Sequence, residues 1–508
     1  MEVHSFVPRF QSLRWAIATA INSRPFDRFV VPGFPSGITT SPTQAVRIAR
    51  FLSRYFRDFP QPIIHLYEVG AGAGTLGIHV MDALKATEFY LYQMVTWHVV
   101  DTSRTRVEAM RKNPMMHRHA HKICIEDGDV RDIPDTADGI ILSTVLSMMP
   151  ARHVIVENGI CHEAIIRSKI DSELEWTDTS VYPAVTRYAD AVTHSFQTSI
   201  DDLIPDAERI LKHLTEEWAL VHASEDTGWH PKELDLANLW AQNNPDNAPF
   251  NCSGLVAATI RESVQKVTAR NGFVLIEDIA MPDQGDLSIT KLMVHYKSSC
   301  GFRIPFGRIA QWIGVDEHRT VTTHFRDSDL QIQLILPTGH SLKSVEFHSL
   351  FPDLGNESTT HLLRNLRTIK DADEYLAVLE AGKSTLHPES LEDYDFNLCV
   401  GLDLVARKRE DEAISYIDTA IQTMGPVGIM AHWVRALIHR HRLEHDAANG
   451  LLQQLLSVTV YPPAVSEWVR VLQDTGKSAL AAEIAGRYYA HLGSEWHAIA
   501  ISIGDTPS

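Results

Sequence analysis

Between residues 63 and 150 the chain alternates short apolar runs with stretches whose apolar residues recur every three or four positions. Residues 63–66, 95–100, 123–125 and 139–142 read as buried strands, and residues 75–84 and 104–112 as helices. That alternation predicts an α/β fold with a parallel, doubly wound sheet. A helix over 43–56 precedes it, announced by Ser41 as a capping residue and Pro42 in the first turn. A helix over 255–270 leads through Asn271-Gly272 to a fifth strand at 273–278. Residues 330–336 and 342–347, joined by Pro337-Thr338-Gly339-His340, predict a β-hairpin that ends the sheet domain. The alternation lapses between about 151 and 255. There the pattern gives a strand pair (154–156 and 164–166), a helix from Asp206 to Trp218, and a loop by composition over 240–249. From about 360 the period is helical throughout. The expected organisation is a helical cap over 1–60, interrupted by Pro32, Gly33, Pro35 and Gly37, a sheet domain over 61–350, and a helical domain over 360–508. The insertion at about 151–255 would cover the site and select substrate.

The junction Tyr67-Glu68-Val69-Gly70-Ala71-Gly72-Ala73-Gly74-Thr75-Leu76 carries the strongest chemical signal. Glycines on alternate positions let the chain turn with positive φ and remove side chains that would hold a ligand off the backbone. Free N–H groups at the start of the next helix then face that ligand. A dinucleotide site spaces its glycines G-x-G-x-x-G; with Gly at 74 and Thr at 75 that spacing fails here. The second strand ends in Asp101, placed to accept both hydroxyls of a ribose. The third ends in Gly128-Asp129-Val130.

The E-x-G-x-G-x-G form resembles the first motif of class I S-adenosylmethionine (SAM) methyltransferases, whose fold is a Rossmann-like sheet. The resemblance implies SAM as cofactor. It places Gly70, Ala71, Gly72 and Gly74 on the methionine part, Asp101 and Thr102 on the ribose, Asp129 and Val130 on the adenine, and Ser143 at the fourth strand's tip. Glu68 would order the glycine loop or reach the cofactor amino group through water. Gly37-Ile38-Thr39-Thr40-Ser41-Pro42 further resembles the D-F-x-T-S-P segment of MidA-type methyltransferases. That family includes a mitochondrial assembly factor that methylates an arginine of a complex I subunit. The family typically follows its fourth strand with N-E-[apolar]-[apolar]-D-x-[apolar]-P. This chain has Ser143-Thr144-Val145-Leu146-Ser147-Met148-Met149-Pro150, without the acids. Glu157, Glu277, Asp278 and Asp283 are the acids available by position, and the first three stand as candidate catalytic groups. The expected reaction is N-methylation of a guanidino or amino group on a protein or small molecule. The alternative is a SAM-binding scaffold that transfers nothing. In the helical region Ala413, Ala447 and Ala481 fall 34 residues apart, the tetratricopeptide spacing. Such a tail would recruit a protein partner or self-associate.

Composition narrows the partners. A formal charge of −18 argues against a general phosphate-binding surface, so nucleic acid is not an expected ligand; it is compatible with a cationic acceptor. No apolar run approaches the roughly 20 residues of a membrane span. Five scattered cysteines without a C-x-x-C pair suggest a reducing compartment. The expected location is cytoplasmic, or the mitochondrial matrix in a eukaryote, since Arg9, Arg14 and Arg24 among apolar residues also suit a transit peptide. His117, His119 and His121 alternate, but sit where a surface connection is expected, so no metal site is assigned.

Overall fold

The computed structural model describes residues 6–23, 40–170, 211, 214–243, 249–281, 293–296, 299–306, 309, 318–324, 330–351, 359–386, 388–425, 428–458 and 461–488. Its centre is a seven-stranded sheet: β1 (Ile64–Val69), β2 (Val95–Asp101), β3 (Ile123–Asp127), β4 (Gly139–Ser143), β5 (Phe273–Ile279), β6 (His318–His324) and β7 (Leu330–Pro337). The strand order is β3-β2-β1-β4-β5-β7-β6, and β7 alone runs opposite in direction to the other six. Because side chains alternate across a strand, each of the five inner strands feeds two cores. Leu66, Trp97, Ile141, Leu275 and Leu334 face one core. Tyr67, Val100, Ile140, Ile276 and Ile335 face the other. Two-sided burial explains why these strands read as continuous apolar runs.

Helix α1 (Leu13–Ser23) lies ahead of the sheet. Helices α2 (Pro42–Asp58) and α3 (Thr75–Thr87) cover the first core, and α5 (Gly254–Thr268) the second. Helix α4 (Arg104–Lys112) follows β2. Ser41 caps α2 by accepting from Gln44 N at 3.2 Å, as its place before Pro42 suggested.

Three expectations need correction. The hairpin partner of β7 is β6, which precedes it. Residues Ser344–Leu350 form a helix, at whose start Lys343 N donates to the Glu346 carboxylate at 2.9 Å. Phe347 and Phe351, four residues apart on one face, pack on Phe51 of α2, while Val345 is 72% exposed. Trp218 belongs to a strand (Leu214–His222), paired with Ile160–Ile170, and cross-strand pairs of Glu217 with Arg167 and Lys169 support it; residues 206–210 lie outside the described residues. Residues 240–243 end a helix (Pro231–Asn243), and 244–248 again lie outside. So do Pro32, Gly33, Pro35 and residues 37–39 of the T-S-P stretch. The strand pair near 154 and 164 forms and belongs to a second, antiparallel sheet of five strands, which Val7–Pro8 joins at one edge.

The tail consists of helical hairpins. Tyr394–Ala406 pairs with Glu410–Met424, Ile429–His441 with His445–Val458, and Pro462–Asp474 with Ser478–Arg487. Each hairpin turns through three residues. The middle one, Lys408, Leu443 or Gly476, has positive φ. The N–H after it returns to a carbonyl five residues back, as Arg409 to Leu404, Glu444 to His439 and Lys477 to Leu472. In this frame the buried small residues are Ala413, Ala448 and Ala481, all 0% exposed. The expected Ala447 is exposed, one step off register. Ala448→Leu should therefore overpack the tail and cost about 1–3 kcal/mol in urea unfolding. Ala447→Leu should stay within about 0.5 kcal/mol of wild type.

Candidate functional site

In an open α/β sheet, ligands bind beyond the strand carboxyl ends where the order reverses, here beside β1 and its neighbours β2 and β4. The glycine loop occupies that place. Gly70, Gly72 and Gly74 adopt φ of 69°, 62° and 70°. Side chains rarely adopt such angles, so the alternate glycines are a requirement of the turn. Gly70 N and Ala71 N donate to Val100 O at 2.8 and 3.2 Å, tying the turn to β2. Glu68 is buried beneath α3 and accepts from Trp97 Nε1 at 3.0 Å. It therefore supports the loop from below.

Asp101 is 2% exposed and organises the strand tips. Its carboxylate accepts from Gly72 N at 3.0 Å, Ser103 N at 2.8 Å and Arg106 at 3.2 Å. Asp129 caps the short turn after β3 and pairs with Arg131, which holds its carboxyl below the usual range. A cavity of about 590 Å³ opens between these groups, with Gly70, Asp101, Thr102, Asp129 and Val130 in its lining. The geometry thus brings five of the expected cofactor residues to one cleft. Glu68, Ala71, Gly72, Gly74 and Ser143 do not line it. A nucleoside fits this donor set, because the two carboxylates accept from hydroxyls or an amine and Gly70 leaves backbone uncovered. Buried Thr75 Oγ1 and Ser143 Oγ, beside the loop and at the β4 tip, have no hydrogen-bond partner among the described residues.

The remaining wall escaped sequence reasoning. It is formed by Val145, Met148, Met149 and Pro150 after β4, and by Leu255, Ala258, Thr259 and Glu262 on α5. The α5 residues fall at i, i+3, i+4 and i+7, a helical stripe visible in the sequence, but nothing local says that it faces β3 and β4. The three candidate catalytic acids lie elsewhere, and Asp283 lies outside the described residues. Glu157 is exposed at the end of a strand (Arg152–Glu157) of the second sheet. Glu277 and Asp278 are 3% and 0% exposed at the end of β5 and do not line the cavity. Asp278 accepts from Ser147 N at 3.0 Å, and Glu277 O accepts from Thr144 N at 2.7 Å. They brace the 144–149 turn, in which Thr144 has φ of 50°. His119, buried, bonds Asp82 and Tyr92, and among the described residues no cluster could hold a metal ion.

Burial pushes the Glu277 carboxyl up to about 8, against the opposing pull of Arg47, and Asp278 up to about 6. The folded chain therefore keeps protons that the unfolded chain releases near the ordinary values of 4.5 and 3.8. This contribution is complete below about pH 4 and is lost as pH rises through 6 to 8. Glu277→Gln should flatten that decline, retaining on the order of 1–3 kcal/mol relative to wild type between pH 5 and 8. Urea titrations at the two pH values measure it.

No curated protein matches the chain. Among solved structures, an uncharacterized protein from Burkholderia thailandensis aligns at 12% identity and TM-score 0.40, over 65% of this chain and 87% of that one. A "likely methyl transferase" from Burkholderia thailandensis, bound to S-adenosyl-homocysteine, aligns at 13% identity and TM-score 0.40, over 65% and 88%. The model of a family described as "Putative S-adenosyl-L-methionine-dependent methyltransferase" matches residues 47–295. That span holds the glycine loop, Asp101, Asp129 and the 144–150 wall. The match supports a SAM methyltransferase family, with SAM as the cofactor, and the mixed sheet with helices on both faces is consistent with a methyltransferase fold.

Proposed function

We propose that the chain transfers a methyl group from SAM to a nitrogen acceptor, an amino group in preference to a guanidino one. The observation that carries the reading is the cavity at the tips of β1 to β4, where uncovered Gly70 backbone meets Asp101 and Asp129. SAM, when bound, supplies a methyl already activated on a sulfonium. The protein then has to hold the acceptor in line at about 3 Å, a task of positioning. Val145, Met148, Met149 and Pro150 give an acceptor an apolar wall. Such a wall disfavours the ammonium form of an amine and so favours its nucleophilic, neutral form. A guanidinium would need carboxylates to orient it. Asp101 and Asp129 already carry Arg106 and Arg131, and Lys266 lies 3.5 Å from Glu262.

A second reading, a SAM-binding scaffold without transfer, draws support from the placement of Glu157, Glu277 and Asp278 away from the cavity. In both readings the hairpins of the tail, repeating every 33–35 residues, act as a tetratricopeptide-like surface for a protein partner or a second copy.

Isothermal titration with SAM and its demethylated product, then transfer of labelled methyl to amine and guanidine libraries, separates the two readings. Asp101→Asn should keep an acceptor for Gly72 N yet weaken SAM binding about 10–100-fold, the loss of charged hydrogen bonds worth about 1.5–3 kcal/mol. Unchanged affinity would remove the ribose from Asp101. Binding without turnover on any acceptor would favour the scaffold.

A further inference from the structure

The glycine loop has two sides. Gly70 faces the cavity, whereas Ala73, three residues on and 1% exposed, is part of the hydrophobic core of the helical tail. The contact extends along the edge of the sheet domain. On α3 the His79 ring lies 2.8 Å from Thr40 O and 3.0 Å from Thr423 O, linking the segment before α2 to the tail helix Glu410–Met424. Thr43 in the first turn of α2 donates to Asp393 at 3.0 Å. Thr423 in turn donates to Glu392 O at 2.8 Å, so the two tail anchors are connected. Ala109 of α4 packs on the same core, and Met115 lies against Gly425, where a Cβ would not fit.

We propose that this tail is a clamp on the cofactor loop, with His79 and Thr43 as positioning residues for SAM that touch neither the cofactor nor the acceptor. The inference rests on the SAM reading of the cleft. The physical ground is that a loop with three left-handed residues and few internal bonds must be held by what packs around it. One face of this loop must stay uncovered for the ligand, so the opposite face carries the restraint. A ligand that needs the clamped form must, by linkage, tighten the clamp on binding.

The first test uses the wild-type full chain. Amide exchange is followed with and without saturating SAM, after titration has established that SAM binds. SAM should slow exchange within residues 388–425 as well as at 70–74. Protection at 70–74 with none in 388–425 overturns the clamp. Failure of SAM to bind overturns the cofactor reading instead, a different result. The second test compares His79→Leu, His79→Gln and Thr43→Val. His79→Leu and Thr43→Val should each weaken SAM about 3–10-fold, and His79→Gln, which can still donate to a carbonyl, should recover part of the loss. A fall in melting temperature with SAM affinity unchanged marks a merely structural contact and overturns the proposal. If His79→Leu does not fold, the wild-type exchange experiment decides.

Discussion

The buried hydrogen bond from Gly72 N–H to the Asp101 carboxylate is the constraint from which the cleft follows. It joins a turn after β1 to the tip of β2 at 3.0 Å, with Asp101 almost fully excluded from solvent. A carboxylate so placed needs donors on every side, and Ser103 N and Arg106 supply the others. The arrangement commits the loop to left-handed angles at three glycines and leaves Gly70 open toward the cavity. A side chain at Gly70 would meet Val145 at 2.5 Å, so the β4 turn and the loop also define each other. One carboxylate therefore both fixes the shape of the loop and stands in the lining of the cavity.

Much of this was legible in the chain because it is local. Burial on both faces leaves β1, β2, β4 and β5 as apolar runs. The alternate glycines, the acids at 101 and 129, and the Ser41-Pro42 start of α2 each declare themselves within a few residues. The misreadings arose where a partner far along the chain decides. Leu214–His222 is a strand because Ile160–Ile170 pairs with it; β7 takes β6 as its neighbour across residues whose pattern did not announce a strand. Residues 342–347 alternate weakly enough to suit either structure, and aromatic packing on Phe51 selects the helix. The tail register slipped by one because Ala447 and Ala448 are identical in kind, and only the turn at Leu443 shows which is inward. The place of the α5 stripe in the cavity wall was not legible for the same reason: the stripe itself is visible, but the destination of a regular helix is non-local.

The acids show the same limit from another direction. Glu277 and Asp278 stand at a strand tip beside the expected site, as catalytic carboxylates would. Their surroundings instead suppress their charge, because burial disfavours the ionised form more than nearby partners restore it. Asp278 holds the Ser147 amide and Glu277's carbonyl holds Thr144, so both residues shape the turn that presents Val145 and Met148 to the cavity.

That turn explains how a wall can be apolar while acids lie directly behind it. An unpaired carboxylate in this wall, unlike Asp101 and Asp129 with their arginines, would favour the protonated form of a basic group beside it. Turned inward, the same group spends its acceptors on main-chain amides and leaves Met148 and Pro150 at the surface. Thr144, in a strained conformation with its amide bound to β5, marks the residue where the chain reverses to make this possible. The acidic character of the β5 tip and the apolar character of the wall are thus two sides of one backbone turn.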